Sequence, residues 1–281
     1  MPTIESVTLL NGEMMPKLGF GVYLSPPEVC TQSCLKALDI GYRHIDTAQY
    51  YGNEKEVGRA VQQSGIPRSM LFLTTKILAA GPSFDESYRK CVESISNLDS
   101  DEKYVDLFLI HSPNCGESQR QTLWQVLERL HAEGKAKSIG VSNFGIQHIE
   151  GLKRTAKVWP PHVNQIEVNF LYLHPWLQQK EIVSYCNNHG ITVQAYCPLA
   201  RGQRFDDVTL QRVAEKHDVA PSQILIKYSL QKGWVPLPKS DNPARIEANF
   251  NVQFTLDNDD MIGLDGLDQG RAGALVQAVD N

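Results

Sequence analysis

The amino-acid sequence predicts an α/β fold, a (β/α)8 TIM barrel with an N-terminal β-hairpin and a short C-terminal tail. Eight short apolar runs alternate with at least seven longer amphipathic segments, which is the strand and helix order of a parallel barrel. The 281 residues contain no linker, low-complexity tract or internal repeat, so residues 1–281 are predicted to form one domain. An open doubly wound sheet has the same alternation and is the alternative fold at this stage.

The first predicted element is a hairpin, because Asn11-Gly12 is a strong two-residue turn signal between residues 6–10 and residues 13–15. The strand candidates that follow are residues 18–22, 44–46, 71–76, 105–111, 138–141, 164–168, 192–196 and 234–237. The helix candidates are residues 28–39, 54–63, 85–98, 122–133, 148–154, 176–188, 209–231 and 243–250. Segment 209–231 is predicted to contain two helices, because Pro221 breaks the pattern and begins a new helix.

The composition is typical of a globular protein without a general affinity for polyanions. Hydrophobic residues make up 42% of the chain, charged residues 21%, and the formal net charge is -5. This balance argues against nucleic-acid partners and against binding to an anionic membrane. The chain has no run of about 20 apolar residues and no visible secretory signal. The six cysteines have no CxxC spacing, which favours reduced thiols and a cytoplasmic location.

Polar side chains stand at three consecutive predicted strand ends, where a parallel barrel has its active site. Asp46 ends the second strand and is followed closely by Tyr51. Lys76 ends the third strand, and His111 ends the fourth. Each residue alone has an ordinary structural interpretation, such as a capping carboxylate, a solvated lysine or a core histidine. Their joint occurrence on one rim favours a catalytic group.

This combination of residue types fits acid catalysis by a tyrosine. A phenol has a pKa of about 10, so it donates a proton poorly at neutral pH. An ammonium group beside the phenol stabilises the phenolate, and a carboxylate behind the ammonium keeps it charged and oriented. In this hypothesis Tyr51 is the general acid and Lys76 stabilises its phenolate. Asp46 then anchors Lys76, and His111 orients the substrate carbonyl.

Five segments, in order along the chain, resemble the signature segments of the aldo-keto reductase family. They are residues 41–48 (GYRHIDTA), 51–54 (YGNE), 106–111 (DLFLIH), 140–144 (GVSNF) and 238–240 (PKS), within a similarity that spans about residues 18–267. The resemblance implies a barrel that uses NADPH (NADP+) to reduce aldehydes or ketones to alcohols. It also implies the catalytic tetrad Asp46, Tyr51, Lys76 and His111, and so selects Tyr51 over Tyr50.

The resemblance also implies how the cofactor is bound. A glycine-rich dinucleotide fingerprint is absent, because Leu24 stands where its third glycine would be. The family instead binds its cofactor extended over the barrel mouth. The positions that correspond to nicotinamide contacts are Ser142, Asn143, Gln165 and Tyr196. The positions that correspond to the pyrophosphate loop and to further cofactor contacts are Leu199, Arg201, Gly202, Gly21, Val22 and Asp46. Taken without the family, Ser142-Asn143 is an ordinary loop turn and Tyr196 a core-edge aromatic.

A phosphate site is predicted from the residues around the start of the last predicted helix. Lys239, Ser240 and Arg245 place two cations and a hydroxyl at a helix start, which favours an anion. A solvated cationic helix end is the alternative interpretation. The resemblance assigns these three residues to the 2′-phosphate of NADPH and Asn249 to the adenine, which favours NADPH over NADH. Asp241 departs from the usual family residue, as Ala248 also does.

The resemblance places Tyr23, Leu78, Ser112 and Phe144 in the substrate pocket. Many relatives have tryptophan near the positions of Leu78 and Ser112, so a wide pocket with few aromatic side chains is expected. The tail, residues 266–281, is short and lacks aromatic residues. These features predict broad acceptance of carbonyl substrates.

Two other classes of function are alternatives. An NADPH-binding regulatory subunit of a larger complex would use the same fold, but it has no need for a complete catalytic tetrad. A metal-dependent barrel hydrolase would need clustered ligands, and the sequence contains no HxH or HExxH motif. No metal site is therefore predicted.

Overall fold

Ten strands and ten helices are defined in the computed structural model, which describes residues 5–166 and 173–273. The antiparallel hairpin consists of β1 (Ser6–Thr8) and β2 (Met14–Pro16). The other strands are β3 (Phe20–Gly21), β4 (His44–Asp46), β5 (Phe72–Ile77), β6 (Val105–Ile110), β7 (Ala136–Ser142), β8 (Val163–Ile166), β9 (Thr192–Tyr196) and β10 (Val235–Leu237). The helices are α1 (Pro27–Ile40), α2 (Glu54–Gln63), α3 (Phe84–Leu98), α4 (Glu117–Ala132), α5 (Ile146–Lys153), α6 (Lys180–Asn188), α7 (Val208–His217), α8 (Pro221–Gln231), α9 (Pro243–Phe250) and α10 (Asn258–Asp265).

The strands β3 to β10 form one parallel sheet in sequence order, and the sheet closes on itself. Gly19 N donates to Pro236 O at 3.1 Å and Gly21 N donates to Pro238 O at 3.0 Å, which joins the last strand to the first. A Cβ at Gly19 would lie 2.4 Å from Leu237 Cδ2, so a larger residue at this seam would have to displace the Leu237 side chain. Closure confirms the predicted (β/α)8 barrel and excludes the open doubly wound sheet.

The helix predicted over residues 176–188 was placed too early, since α6 begins at Lys180. Trp176 is instead buried outside the helix and donates to Asp207 Oδ2 at 3.1 Å, while Gln179 has the left-handed φ of 50°. The predicted break within residues 209–231 is confirmed by α7 and α8. The predicted strand over residues 164–168 extends past residue 166, and the predicted tail past residue 273, so both end outside the described residues.

The helix α10 was not predicted, although the sequence contains a signal for it. The carboxylate of Asp257 accepts a hydrogen bond from Asp260 N at 2.9 Å and the carboxylate of Asp260 accepts one from Asp257 N at 3.1 Å. Two carboxylates three residues apart therefore form a capping box, in which aspartate replaces the usual glutamate or glutamine.

The hairpin closes the lower end of the barrel. Leu9 and Met15 are buried and belong to one apolar cluster with Phe72, Leu107 and Val235, which come from three barrel strands. Because successive side chains of a strand point to opposite faces, the inward positions two and four residues further along lie higher in the barrel. The barrel interior is therefore apolar next to the hairpin and polar at the carboxyl ends of the strands.

Candidate active site

Lys76 is the centre of a buried polar cluster at the carboxyl ends of β4 and β5. Its side chain is 0% exposed. The ammonium Nζ donates to Asp46 Oδ1 at 2.6 Å, to the carbonyl oxygen of Thr47 at 2.8 Å and to Tyr51 OH at 3.2 Å. Burial of an ammonium without hydrogen-bond partners costs free energy, and these three oxygens offset that cost for Lys76.

Tyr51 reaches the cluster because the chain turns sharply after β4. Residues 49–51 form a single 3-10 turn that ends at Gly52, whose φ of 69° is accessible to glycine at little cost. The following loop is held by Asn53, whose Nδ2 donates to Val22 O at 3.0 Å and whose Oδ1 accepts from Thr47 Oγ1 at 2.8 Å. Glu54 then accepts from Thr75 Oγ1 at 2.5 Å, which fastens the start of α2 to β5. The position of the phenol is thus set by buried contacts on both sides.

Gln165 extends the cluster across the barrel. Its Nε2 donates to Asp46 Oδ2 at 2.7 Å and to Gln194 Oε1 at 2.8 Å. Both oxygens of the Asp46 carboxylate are therefore engaged, one by Lys76 and one by Gln165. Because both of its oxygens accept hydrogen bonds, the Asp46 carboxylate has little freedom to rotate. It therefore holds the Lys76 ammonium beside Tyr51.

His111 lies directly after β6, with its ring edge-on to Tyr51 and the ring centroids 5.6 Å apart. Burial lowers the pKa of His111 from 6.5 to about 3, and the positive charge of Lys76 acts in the same direction. The imidazole is therefore neutral at physiological pH and has one N–H donor. In the described part of the chain, the buried Nδ1 has no hydrogen-bond partner, so the ring is not satisfied by the protein alone.

A groove of about 520 Å³ leads from this cluster to the start of α9. It is lined by Asp46 and Tyr51 at one end and by Lys239 and Arg245 at the other. Of the predicted cofactor residues, those along this groove are Gly21, Asp46, Tyr196, Leu199, Arg201, Gly202, Lys239, Ser240, Arg245 and Asn249. The buried predicted cofactor residues that do not line it are Val22, Ser142, Asn143 and Gln165.

The far end of the groove has the geometry of an anion site. Asn242 caps α9 by accepting from Arg245 N at 3.1 Å, and Ser240 Oγ accepts from Asn242 N at 3.1 Å. The Arg245 side chain is exposed at the first turn of the helix. Lys239 Nζ, in contrast, already donates to Asp241 Oδ2 at 2.5 Å. A helix start with two cations favours an anion, although one of the cations has an internal partner.

The four residues predicted to line the substrate pocket differ in their exposure and contacts. The Tyr23 ring packs on Tyr51 with centroids 4.9 Å apart, and Leu78 is exposed. Ser112 is nearly buried and its Oγ accepts from Asn114 N at 3.3 Å. Phe144 has no exposed surface and packs on His148, so its placement in an open pocket is not supported by this structure. The reason is that the Phe144 side chain belongs to the main apolar core cluster, although the residue follows the carboxyl end of β7.

Several residues of the site were missed by the sequence analysis. Tyr50 is 64% exposed and its ring lies edge-on to His111. An aromatic side chain therefore stands beside the substrate pocket, for which few aromatic side chains were expected. The groove residues that were not predicted are Leu24, Cys197, Phe205, Ser222 and Leu237. They are apolar or polar residues without a motif, so no sequence signal marks them. Asp241, which the sequence analysis named as a departure from the usual family residue, also lines the groove.

Two negative observations apply to the described residues. Within residues 5–166 and 173–273, three or more His, Cys, Asp or Glu side chains nowhere meet in a geometry that would hold a metal ion. In the same ranges, none of the helices has the length and apolarity that a membrane crossing requires.

In parallel barrels, chemistry takes place where the strands end, and here a neutral imidazole, a phenol and a buried lysine meet at that rim. The chain is accordingly an enzyme of the (β/α)8-barrel class. Comparison with known sequences identifies the family within this class of enzymes. A sequence model of the Aldo/keto reductase family matches residues 24–269, and the chain belongs to this family.

Individual relatives agree with this assignment over nearly the whole length. Glyoxal reductase from Bacillus subtilis (strain 168) is 38% identical over 273 residues, which cover 96% of this chain and 95% of that protein. The structure of a mutant of Gox0644 in complex with NADPH has a TM-score of 0.89 and 33% identity, with 98% and 97% of the two chains covered. The Bombyx mori aldo-keto reductase in complex with NADP has a TM-score of 0.86 and 31% identity, with 96% and 94% covered.

Proposed function

We propose that this enzyme reduces aldehydes or ketones to alcohols with NADPH, and that Tyr51 is the general acid. The observation that carries the proposal is the position of the fully buried Lys76 ammonium, 3.2 Å from Tyr51 OH and 2.6 Å from Asp46 Oδ1. The family and the two neighbours crystallised with NADPH or NADP support the reaction and the cofactor.

The proposed proton transfer follows from the electrostatics of the cluster. Tyr51 gives its proton to the carbonyl oxygen of the substrate and becomes a phenolate. The Lys76 ammonium stabilises that phenolate, and Asp46 keeps the ammonium charged and pointed at the phenol. The phenolate regains its proton from solvent after the alcohol leaves. When bound, NADPH supplies the hydride that the carbonyl carbon accepts.

His111 is proposed to orient the substrate. Its neutral ring has a single N–H that can donate to the carbonyl oxygen, in the space next to Tyr51. An imidazolium would instead place a second positive charge near Lys76, which burial and repulsion oppose. The neutral form thus aims the carbonyl without competing with Tyr51 as the proton donor.

The residues at the two ends of the groove suit NADPH. The groove begins beside the catalytic cluster and ends at a capped helix start next to Lys239 and Arg245. In the proposal, the residues that hold the nicotinamide are Ser142, Asn143, Gln165 and Tyr196. Those that hold the pyrophosphate and the adenosine 2′-phosphate end are Leu199, Arg201, Gly202, Lys239, Ser240, Arg245 and Asn249. We further propose that residues 1–281 form one barrel domain.

The test is a matched pair of tyrosine variants. Tyr51→Phe removes the proton donor and keeps the ring, so the turnover number should fall roughly 100-fold or more. Tyr50→Phe is the control, because Tyr50 is the exposed neighbour and its hydroxyl has no assigned role. Turnover is followed as loss of NADPH absorbance with a panel of aldehydes and ketones, and NADPH binding is measured by calorimetry. Near-normal turnover of Tyr51→Phe would overturn the assignment of the acid.

The regulatory-subunit alternative is not supported. It does not require a phenol, an ammonium and a carboxylate in contact, yet all three meet here. No turnover by the wild-type enzyme across the carbonyl panel, with NADPH bound, would return that alternative to consideration.

A further inference from the structure

The lysine at the phosphate end of the groove has an internal counter-ion. Lys239 Nζ donates to Asp241 Oδ2 at 2.5 Å, and the two side chains are 32% and 26% exposed. Lys239 Nζ also lies 3.4 Å from the carbonyl oxygen of Leu24. Asp241 itself lines the groove together with Lys239 and Arg245. The carboxylate therefore stands inside the proposed phosphate site and not behind it.

The Asp241 carboxylate is held in place by a second set of contacts. Its Oδ1 accepts from Ser25 Oγ at 2.6 Å and from Ser33 Oγ at 3.0 Å. Ser25 precedes α1 and Ser33 lies within it, so the anchor comes from a different part of the barrel rim. Burial on its own raises the pKa of Asp241, but the hydrogen bonds from Lys239, Ser25 and Ser33 outweigh it and hold the pKa below its usual value. The group is ionised at neutral pH and cannot swing away without losing two hydroxyl donors.

Arg245 differs from Lys239 in this respect. Its side chain is exposed, and across the described residues it has no acidic partner within ion-pair distance. Of the two cations expected to bind the 2′-phosphate, one is uncompensated and the other is already neutralised. The local charge offered to a phosphate is thus close to one positive unit and not two.

We propose that Asp241 is a specificity-determining residue that lowers the preference of this enzyme for NADPH over NADH. The inference rests on the proposed cofactor placement. A 2′-phosphate that reaches Lys239 meets a fixed carboxylate on the same ammonium, so part of the attraction is cancelled. The 2′-hydroxyl of NADH meets no such repulsion, and it can donate to the remaining lone pair of Asp241 Oδ2.

The size of the effect follows from the exposure of the pair. One partly exposed pair of unit charges changes an equilibrium constant by up to about fivefold. A 2′-phosphate carries between one and two negative charges at neutral pH, so removal of the Asp241 charge should favour NADPH by about five- to tenfold. The effect should shrink at high ionic strength, because the groove is open to salt.

Asp241→Asn is the direct test, because asparagine keeps an oxygen for Ser25 and Ser33 and removes the charge. The ratio of the NADH to the NADPH dissociation constant, measured by calorimetry at low and at high salt, should rise about five- to tenfold at low salt. Asp101→Asn removes the same charge from the exposed loop before β6, at the opposite end of the barrel, and should leave the ratio unchanged. Asp241→Ser is a second variant in case the amide distorts the loop.

An unchanged ratio in both Asp241 variants would refute the proposal. A lower ratio would also refute it, since it would mean that Asp241 positions Lys239 for the phosphate instead of opposing it. Thermal melting checks that each variant is folded. Because the readout is binding, a failure of this inference is distinct from a failure of the proposed catalysis, which would appear as absent turnover with cofactor binding intact.

Discussion

Lys76→Met separates the catalytic and the structural consequences of the buried ammonium. Methionine keeps an unbranched apolar side chain of similar length, so the packing around it is largely preserved. Tyr51 loses the cation that lies 3.2 Å from its hydroxyl, and the phenolate formed on proton transfer loses its stabilisation. The turnover number should fall roughly 100-fold or more, as for loss of a positioned acid.

The stability of the same variant should fall for a different reason. The Asp46 side chain is 4% exposed, and without Lys76 its one remaining side-chain donor among the described contacts is Gln165 Nε2 at 2.7 Å. Removal of one partner from a buried ion pair costs about 3–5 kcal/mol, because the other charge stays buried. We therefore expect the free energy of unfolding to fall by about that amount.

A double variant separates the two effects. In Lys76→Met/Asp46→Asn no buried charge is left unpaired, so most of the lost stability should return while the turnover number stays low. Lys55→Met replaces an exposed lysine of α2 and should change stability by less than about 0.5 kcal/mol.

Urea unfolding followed by circular dichroism gives the stabilities, and single-turnover kinetics with a test aldehyde gives the rates. Wild-type turnover in Lys76→Met would refute the coupling between Lys76 and Tyr51. A double variant no more stable than Lys76→Met would show that Asp46 is not the source of the destabilisation.

Two further predictions concern the groove and acid stability. Arg245→Ala should weaken NADPH binding about tenfold or more and affect NADH far less, because a charge-assisted contact to the 2′-phosphate is worth about 1.5–3 kcal/mol. Equal shifts in the two dissociation constants, measured by calorimetry at one ionic strength, would identify Arg245 as a merely solvated cation. Burial lowers the pKa of His44 from 6.5 to about 4 in the folded protein. As the pH drops below 6.5, the His44 imidazole therefore becomes protonated in the unfolded state before it does in the folded state, and the free energy of unfolding falls. The unfolding free energy should lose about 2–3 kcal/mol from this group by about pH 4.5, and His44→Gln should reduce that loss in urea melts; an identical loss in the variant would contradict it.

The secondary structure was predictable where local patterns are strong. The strand predicted over residues 44–46 has the observed ends, and Pro221 begins α8 as its sequence context indicates. Trp176 misled the helix prediction because its apolar side chain fits a helical pattern. Its indole is instead buried beside α7, and this contact depends on residues far along the chain. Periodicity reports which side chains are apolar and not which element they will pack against.

The sequence by itself determined that this chain is an α/β protein that resembles the aldo-keto reductases and has polar residues at its predicted strand ends, while closure of the sheet was decided by the tertiary structure. Strand alternation and short motifs encode these features locally, within a few residues of one another. The tertiary structure alone decided which groups touch. Gln165 and Asp46 are 119 residues apart in the chain, and Ser25 and Asp241 are 216 residues apart, yet both pairs are in hydrogen-bond contact. Such contacts depend on where the closed sheet brings distant strand ends and loops together, so the serine hydroxyls that hold the Asp241 carboxylate became visible only in the folded chain.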